Sequence, residues 1–480
     1  MSGARRSASA KALTRAALAG ATGAGALAPP VRIVHIGLGA FHRAHQAWYT
    51  DRAADGADWG IAAFTGRSAE IALELAPQDG LFTLIERAAD GDTASVIASI
   101  AEAVDGADLN RLAELLSRSS TAIVTLTVTE AGYRLDSSGQ PNMGDSMLVG
   151  DVRWLAAAID RKELLDGSAQ APRTALGRVL LGLEARRRNG GGPLAIVPCD
   201  NVPGNGEFVA RGLTAIAAGI DAGLAAWIEG NVAFVSTSVD RITPKTTPAD
   251  SEAAAALTGW RDRSPVVTEP FRDWILSGEF PAGRPAWESA GARFVGDIEP
   301  FERRKLWLLN GAHSLLAYTG LSRGHQTVAQ ALADQLCLGW VNELWDEAAR
   351  HLPTVELELD SYRAALLERF ANPRIAYQLT QIATDGVAKL HVRIAPIVLA
   401  ERAAGNDAAT GIRALGTWAR LVLEGADLVD TKSEAIDAAR RHGRTPEAID
   451  ALIRLVEPRL LDDSVVTEAI RRVVADQGSA

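Results

Sequence analysis

Short apolar runs rich in β-branched residues alternate with helical periodicity through the first part of the chain; beyond about residue 295 helical periodicity continues almost alone. The run Val31–Ile36, bounded by Pro30 and Gly37, predicts a strand. Trp59–Thr65, stopped by Gly66, predicts a second, and residues 68–76 follow as helix. Thr121–Val128 predicts another strand. Helical patterns occupy roughly 151–189, closing on Asn189-Gly190-Gly191-Gly192, before the short strands Leu194–Val197 and Val232–Val235. Strands alternating with helices imply βαβ units and a mainly parallel sheet. The fold class expected is α/β: a Rossmann-like dinucleotide-binding domain over 31–295, then a mostly α-helical domain over 296–480 that carries substrate and catalysis. Residues 1–30 form the remainder. Lys11 and Arg15 interrupt their apolar positions, and Ala and Gly stand where a signal peptide carries Leu and Val, so they read as a poorly ordered leader.

Composition narrows this picture. A chain of 480 residues with 47% hydrophobic and 22% charged positions can bury a large core without a disulfide or metal staple. The formal net charge of −10 argues against a nucleic-acid binder. Cys199 and Cys337 are too few for a disulfide framework or a four-cysteine zinc site, and the eight histidines show no HExxH spacing, so no metal is expected. With no run of 18 apolar residues, no membrane partner is expected, and the compartment is the cytoplasm.

Candidate chemistry lies at two places. After the first strand comes Gly37-Leu38-Gly39-Ala40-Phe41-His42, then a segment able to open a helix. A tight turn at Gly37, a close backbone approach at Gly39 and a helix N-terminus make a pyrophosphate site. The third glycine of the dinucleotide pattern is missing, and His42 stands near its place. Gly37, Gly39, Phe41 and His42 are the expected cofactor contacts. NAD is the expected cofactor, with NADP open: the second strand ends Phe64-Thr65-Gly66-Arg67-Ser68, with no acid before Glu70.

The second place is Phe301–Ser314. At about 100° per residue, Asn310 lies about 140° around a helix from Lys305 and His313 about 80°, so the three share one broad face. Leu306, Trp307, Leu308 and Leu309 around them suggest a buried helix, where Lys, Asn and His are costly unless they serve something. A lysine of lowered pKa can take the hydroxyl proton as hydride leaves an alcohol. An amide N–H can stabilise the alkoxide-like oxygen, and a histidine can hold a substrate hydroxyl. Polar clusters also follow other strands: Thr129-Glu130, Pro198–Gly206 and Val239–Pro244.

At these residues the chain resembles the mannitol dehydrogenase family of long-chain polyol dehydrogenases. The matching pieces are Gly37–His45, Leu126–Glu130, Cys199-Asp200-Asn201 through Asn205-Gly206, Val239–Pro244, Lys305–His313, and Asp385-Gly386 with Lys389. The resemblance implies that Lys305 is the general base and that Asn201 and Asn310 bind the oxyanion. It further implies that His313 and Asp240 contact substrate, that Glu130 lies on the proton's route to solvent, and that Lys389 contacts the distal end of the substrate. It implies an active site in the cleft between the domains and hydride transfer without a metal. The expected substrate pair is D-mannitol and D-fructose, with fructuronate reduction or mannitol 1-phosphate oxidation as alternatives, since Gln381 stands where some mannitol-oxidising relatives carry a basic residue. The expected partner is a small polyol or keto-sugar, and the chain a monomer or small homo-oligomer. A regulatory protein on a dinucleotide fold is the competing non-enzyme class; it requires the polar helix 305–313 to be structural.

Overall fold

The computed structural model describes residues 10–23, 27–161, 164–165, 171–353, 356–375 and 377–476. The chain divides into two compact units between Ile298 and Glu299.

The first unit is organised by a six-stranded sheet: β1 Val31–Ile36, β2 Gly60–Phe64, β3 Ile100–Val104, β4 Ile123–Leu126, β5 Leu194–Pro198 and β6 Val232–Phe234. Their order across the sheet is β3-β2-β1-β4-β5-β6, and every pairing is parallel. Order reverses between β1 and β4, the switch point beyond whose carboxyl edge open α/β sheets bind ligands. Successive side chains of a strand point to opposite faces, and here both faces are covered. Val34, Ile36, Ala62, Phe64, Val124 and Leu126 pack against Leu112, Leu116, Val179 and Leu180 from helices Leu109–Ser117 and Ala175–Asn189. Ile33, Ile61, Ala63, Ile123, Ala195 and Val197 face the other way, into a cluster holding Trp48, Trp274 and Trp287.

The expected strands all form, each end within two residues of its expected position. The region expected to be helical over 151–189 holds two helices, Ser146–Asp160 and Ala175–Asn189. Asp145 starts the first by accepting the backbone N–H groups of Met147 and Leu148, and Thr174 starts the second by accepting that of Gly177. Smaller sheets pair Phe82–Arg87 with Asp92–Ile97 and Val266–Thr268, and Ser236–Asp240 with Asp273–Ser277. Part of the leader departs from expectation. Lys11–Ala12 pairs with Trp260–Arg261, Leu13 is buried, and Arg15 opens a helix, Arg15–Thr22. The Arg15 guanidinium donates to the carbonyls of Asp79 (3.1 Å), Ala98 (2.7 Å) and Ile100 (2.9 Å). The charge that made this stretch look unfit for a core satisfies backbone acceptors instead. Residues 1–9 and 24–26 of the leader lie outside the described residues.

In the second unit the described regular elements are helices. At their centre runs Gly311–Ser322, buried from Gly311 to Gly320. A helix apolar all round is stable only when other helices surround it. Gln335–Ala349, Leu379–Ala383, Gly386–Arg393 and Ala409–Leu423 do so. Among the described residues no helix is long and apolar enough to cross a membrane.

Candidate functional site

In the first unit the site begins where β1 ends. Gly37 has φ +112°, and a Cβ there would lie 2.1 Å from the Thr127 carbonyl oxygen, so only glycine lets the turn pass against β4. The N–H groups of Gly37 and Leu38 both donate to the Phe64 carbonyl, at 2.9 Å each. Gly39 has nothing closer than 3.5 Å to an added Cβ, which leaves open space in front of the following helix. That helix runs without interruption from Ala40 to Arg52, through a wide π-helical stretch at Arg43–Ala47. Its free N–H groups face the carboxyl edge of β1, so the turn fits a dinucleotide pyrophosphate.

Buried cations hold the helix. Arg43 donates to the Ser264 carbonyl and to its hydroxyl (3.1 Å), and Arg241 donates to the Ala44 carbonyl (2.6 Å) while pairing with Glu86. Phe41 is half-buried, its ring 5.1 Å from that of His45. His42 is fully buried and stacks on His35, with centroids 3.4 Å apart. A cofactor contact from His42 must therefore come from its backbone; its ring is packing beneath the turn.

His35 carries a chain of hydrogen bonds. Thr127 Oγ1 donates to the Gly37 carbonyl (2.9 Å) and so has only lone pairs left for His35 Nε2 at 3.1 Å. Nε2 then carries the proton, and Nδ1 accepts from Thr125 Oγ1 at 2.8 Å. Burial pushes the His35 pKa down to about 3 and that of His42 well below the ordinary imidazole value.

Across the switch point, Asp200 closes the edge. Its carboxylate accepts the N–H groups of Val128 and Thr129 (2.9 Å each) and the Tyr133 hydroxyl (2.7 Å). Burial raises its pKa, and these hydrogen bonds oppose the rise. The knot holds Thr129 at φ +67°, a costly conformation for a β-branched residue and one that clusters at functional sites. It presents Glu130 and Asn201, both exposed, at the carboxyl ends of β4 and β5. Asn205 is buried: its Nδ2 donates to the Asp200 and Thr237 carbonyls and its Oδ1 accepts the Thr237 N–H, so it sews the loop to the strand Ser236–Asp240. Asp240 departs from its expected setting. It is the last residue of that strand, opposite Asp273, in a separate antiparallel pair and not in a loop after β6.

In the second unit Lys305 opens a π-helical turn, Lys305–Asn310, between the α-helices Glu299–Arg304 and Gly311–Ser322. The Gly311 N–H reaches back five residues to the Leu306 carbonyl. An i→i+5 turn is wider than an α-turn, so residues five apart lie nearer one face than the α-helical 140° between Lys305 and Asn310 expected from sequence. Lys305 and Asn310 are half-buried, and His313 is buried with its ring 4.7 Å from Phe370 and 5.3 Å from Tyr377. Lys389 Nζ donates to the Ile382 carbonyl (2.9 Å) and Thr384 Oγ1 (3.1 Å), which commits part of its capacity to the end of a neighbouring helix. Burial, then the nearby Arg393, lowers its pKa.

Two residues escaped the sequence reading. Asp200 lay in a quoted segment, but nothing local announced that it clamps β4's edge. Arg393, on the helix Gly386–Arg393, donates to the Asn310 carbonyl (3.5 Å) and to Ser314 Oγ (3.3 Å), which brings a half-buried guanidinium to the helix of Lys305, Asn310 and His313.

Comparison with known proteins agrees with this arrangement. Residues 31–289 match the mannitol dehydrogenase Rossmann domain and residues 297–474 the mannitol dehydrogenase C-terminal domain. The chain is 37% identical over 383 residues to D-mannonate oxidoreductase of Escherichia coli, covering 76% of this chain and 74% of that protein. It is 36% identical over 382 residues to mannitol 2-dehydrogenase of Cereibacter sphaeroides, covering 78% and 77%. Among solved structures, Pseudomonas fluorescens mannitol 2-dehydrogenase in ternary complex with NAD and D-mannitol superposes with a TM-score of 0.74 at 32% identity, over 93% of this chain and 92% of that one. With a parallel 3-2-1-4-5-6 sheet, a glycine turn at its switch point and matches over both units, the chain is an oxidoreductase of the mannitol dehydrogenase family.

Proposed function

We propose that this chain moves a hydride between NAD and a sugar alcohol/keto-sugar pair, with D-mannitol and D-fructose the leading pair and Lys305 the general base. The observation that carries the reading is the wide turn Lys305–Asn310, which sets an amine and an amide on one stretch of an otherwise apolar helix. When bound, the nicotinamide accepts the hydride. Gly37, Gly39 and the helix Ala40–Arg52 hold the pyrophosphate, with Phe41 and His42 supporting the turn. Lys305 takes the hydroxyl proton, Asn310 and Asn201 steady the oxygen as charge develops, and His313 and Asp240 hold substrate hydroxyls. Glu130, exposed beyond β4, passes the proton to solvent. Lys389 contacts the distal end of the substrate, and the compartment is the cytoplasm.

Arg393 favours a second reading. A half-buried guanidinium beside Asn310 and Ser314 suits a carboxylate, and the chain is as similar to a D-mannonate oxidoreductase as to mannitol 2-dehydrogenases. In that reading the substrate is a hexonate/hexuronate pair.

The test is Lys305→Ala. Alcohol oxidation by the unaltered enzyme should rise with pH as the ammonium gives up its proton. The variant should lose a factor on the order of 10² to 10⁴ in kcat, with cofactor affinity little changed. A folded variant that kept its rate would remove the base from the mechanism. Assaying D-mannitol beside D-mannonate decides between the two substrate readings.

A further inference from the structure

The wide turn Lys305–Asn310 is fastened by side-chain hydrogen bonds at both ends and in its middle. An α-helix would send the Gly311 N–H to the Trp307 carbonyl, four residues back. Here it is shared between the carbonyls of Leu306 and Leu308, five and three residues back. The Leu308 carbonyl also accepts the indole N–H of Trp345, from the helix Gln335–Ala349, at 2.8 Å. A carbonyl oxygen has two lone pairs, and both are used. Just before the turn, buried Arg304 donates to the Leu357 carbonyl at 2.8 Å. At its end, Arg393 donates to the Asn310 carbonyl at 3.5 Å. The Trp345 bond is the shorter of these two contacts with the turn's own carbonyls.

Trp345 is fully buried. A buried indole N–H needs an acceptor, so the bond by itself says nothing of function. Its placement does. The acceptor lies between Lys305 and Asn310, and the same indole lies 6.5 Å from the ring of Phe370, which packs on His313 at 4.7 Å. One side chain thus holds a carbonyl inside the turn and backs the ring that supports the histidine. Without the indole N–H, the extra residue of the wide turn is free to move along the helix. Lys305 and Asn310 then fall toward the α-helical angle of about 140°.

We propose that Trp345 is a positioning residue for the hydride chemistry: its indole N–H, by holding the Leu308 carbonyl, keeps the turn wide and so fixes Lys305 relative to Asn310. The inference rests on the reading of Lys305 as the general base. It adds a residue that touches neither substrate nor cofactor.

The experiment is Trp345→Phe in the full chain, which removes the N–H and keeps an aromatic ring. For alcohol oxidation, kcat per folded enzyme should fall about 10- to 100-fold, with KM and cofactor Kd within about threefold of the unaltered protein. The loss should vanish in a Lys305→Ala background, because a residue that acts through the lysine adds nothing once the lysine is gone. Hydrogen exchange across residues 305–311 should quicken in the variant. Where the phenylalanine variant does not fold, 3-benzothienylalanine at position 345, in which sulfur stands for the N–H, keeps the ring's full size and carries the same expectations. A packing role alone predicts a lower Tm with unchanged kcat, and that result overturns the proposal. So does a loss of kcat that persists in full in the Lys305→Ala background. A Lys305→Ala enzyme that keeps its rate removes the base reading instead. Trp345 is then judged on exchange alone: quickened exchange across 305–311 upholds its hold on the turn, and unchanged exchange overturns it.

Discussion

His35 is neutral in the folded chain because it is fully buried, and its tautomer follows from its neighbours: Thr127 donates its only proton to the Gly37 carbonyl, so Nε2 donates to Thr127 and Nδ1 accepts from Thr125. A second buried imidazole, His42, lies flat on it. Both folded-state pKa values are depressed, that of His35 to about 3, against about 6.5 in an unfolded chain. For a base the sign is clear. The unfolded state binds protons first, so the stability these rings contribute is fully present above about pH 6.5 and is lost as pH falls from there toward 3. Over that window the His35 ring should cost about 1.4 kcal/mol per pH unit, and the depressed His42 pKa adds to the loss in the same direction. A plot of Tm against pH should therefore bend downward below about 6.5, and His42→Leu, which removes one titrating ring and keeps an apolar filler, should bend less. An unchanged slope in His42→Leu would mean that His42 does not titrate on unfolding as argued. Gly37→Ala acts in the same place by another route: its Cβ would meet the Thr127 carbonyl at 2.1 Å, and its φ is +112°, so a loss on the order of 2 kcal/mol or more in urea unfolding is expected.

The element that separates this helical unit from an ordinary bundle is the wide turn Lys305–Asn310. Such turns leave one residue more than an α-helix needs, and they recur at functional sites. Inserting one alanine after Leu306, which is half-buried, should add about 100° between Lys305 and Asn310 and swing the lysine away from the amide. Far-ultraviolet circular dichroism should be preserved while kcat falls on the order of 100-fold or more. Retained activity would show that the wide turn is not what positions the lysine. This turn also marks where reading the sequence stopped short. Residues 305–313 were recognisable as polar groups on an apolar helix, but the angle between them was not, because one extra residue per turn leaves no compositional trace. Long, strongly patterned elements were readable: the β-branched run Val31–Ile36 and the buried Gly60–Phe64 are strands as expected. Elements as short as Val266–Thr268 and Arg293–Phe294 exist only because distant strands pair with them. Arg15 was misjudged for a related reason, since its acceptors lie 64 to 85 residues away.

Taken whole, the molecule comprises two compact units, and its two cysteines, Cys199 and Cys337, are both free, so no disulfide ties either one. The alternation of strands and helices announced the first unit, but not the strand order that makes β1 and β4 neighbours and so places Gly37 against Thr127. The same whole-chain view bears on whether a metal takes part in the reaction. Among the described residues one group of three potential ligands lies close enough to hold an ion: His325, Asp334 and Cys337, whose ligand atoms fall within 4.8 Å of one another. Its own chemistry is already settled, however. Asp334 Oδ2 accepts from His325 Nε2 at 3.1 Å and from Arg323 at 2.5 Å, and Oδ1 accepts the Leu336 N–H at 3.0 Å. A cation entering there would have to displace the Arg323 guanidinium and strip a proton from Cys337, whose pKa burial raises. Hydride transfer with a lysine base asks for no Lewis acid. Exhaustive dialysis against a chelator, with metal content measured before and after, should therefore leave kcat for polyol oxidation within about twofold of the untreated enzyme. Loss of activity that zinc alone restored would assign the proton chemistry to a metal-bound group and take it from Lys305.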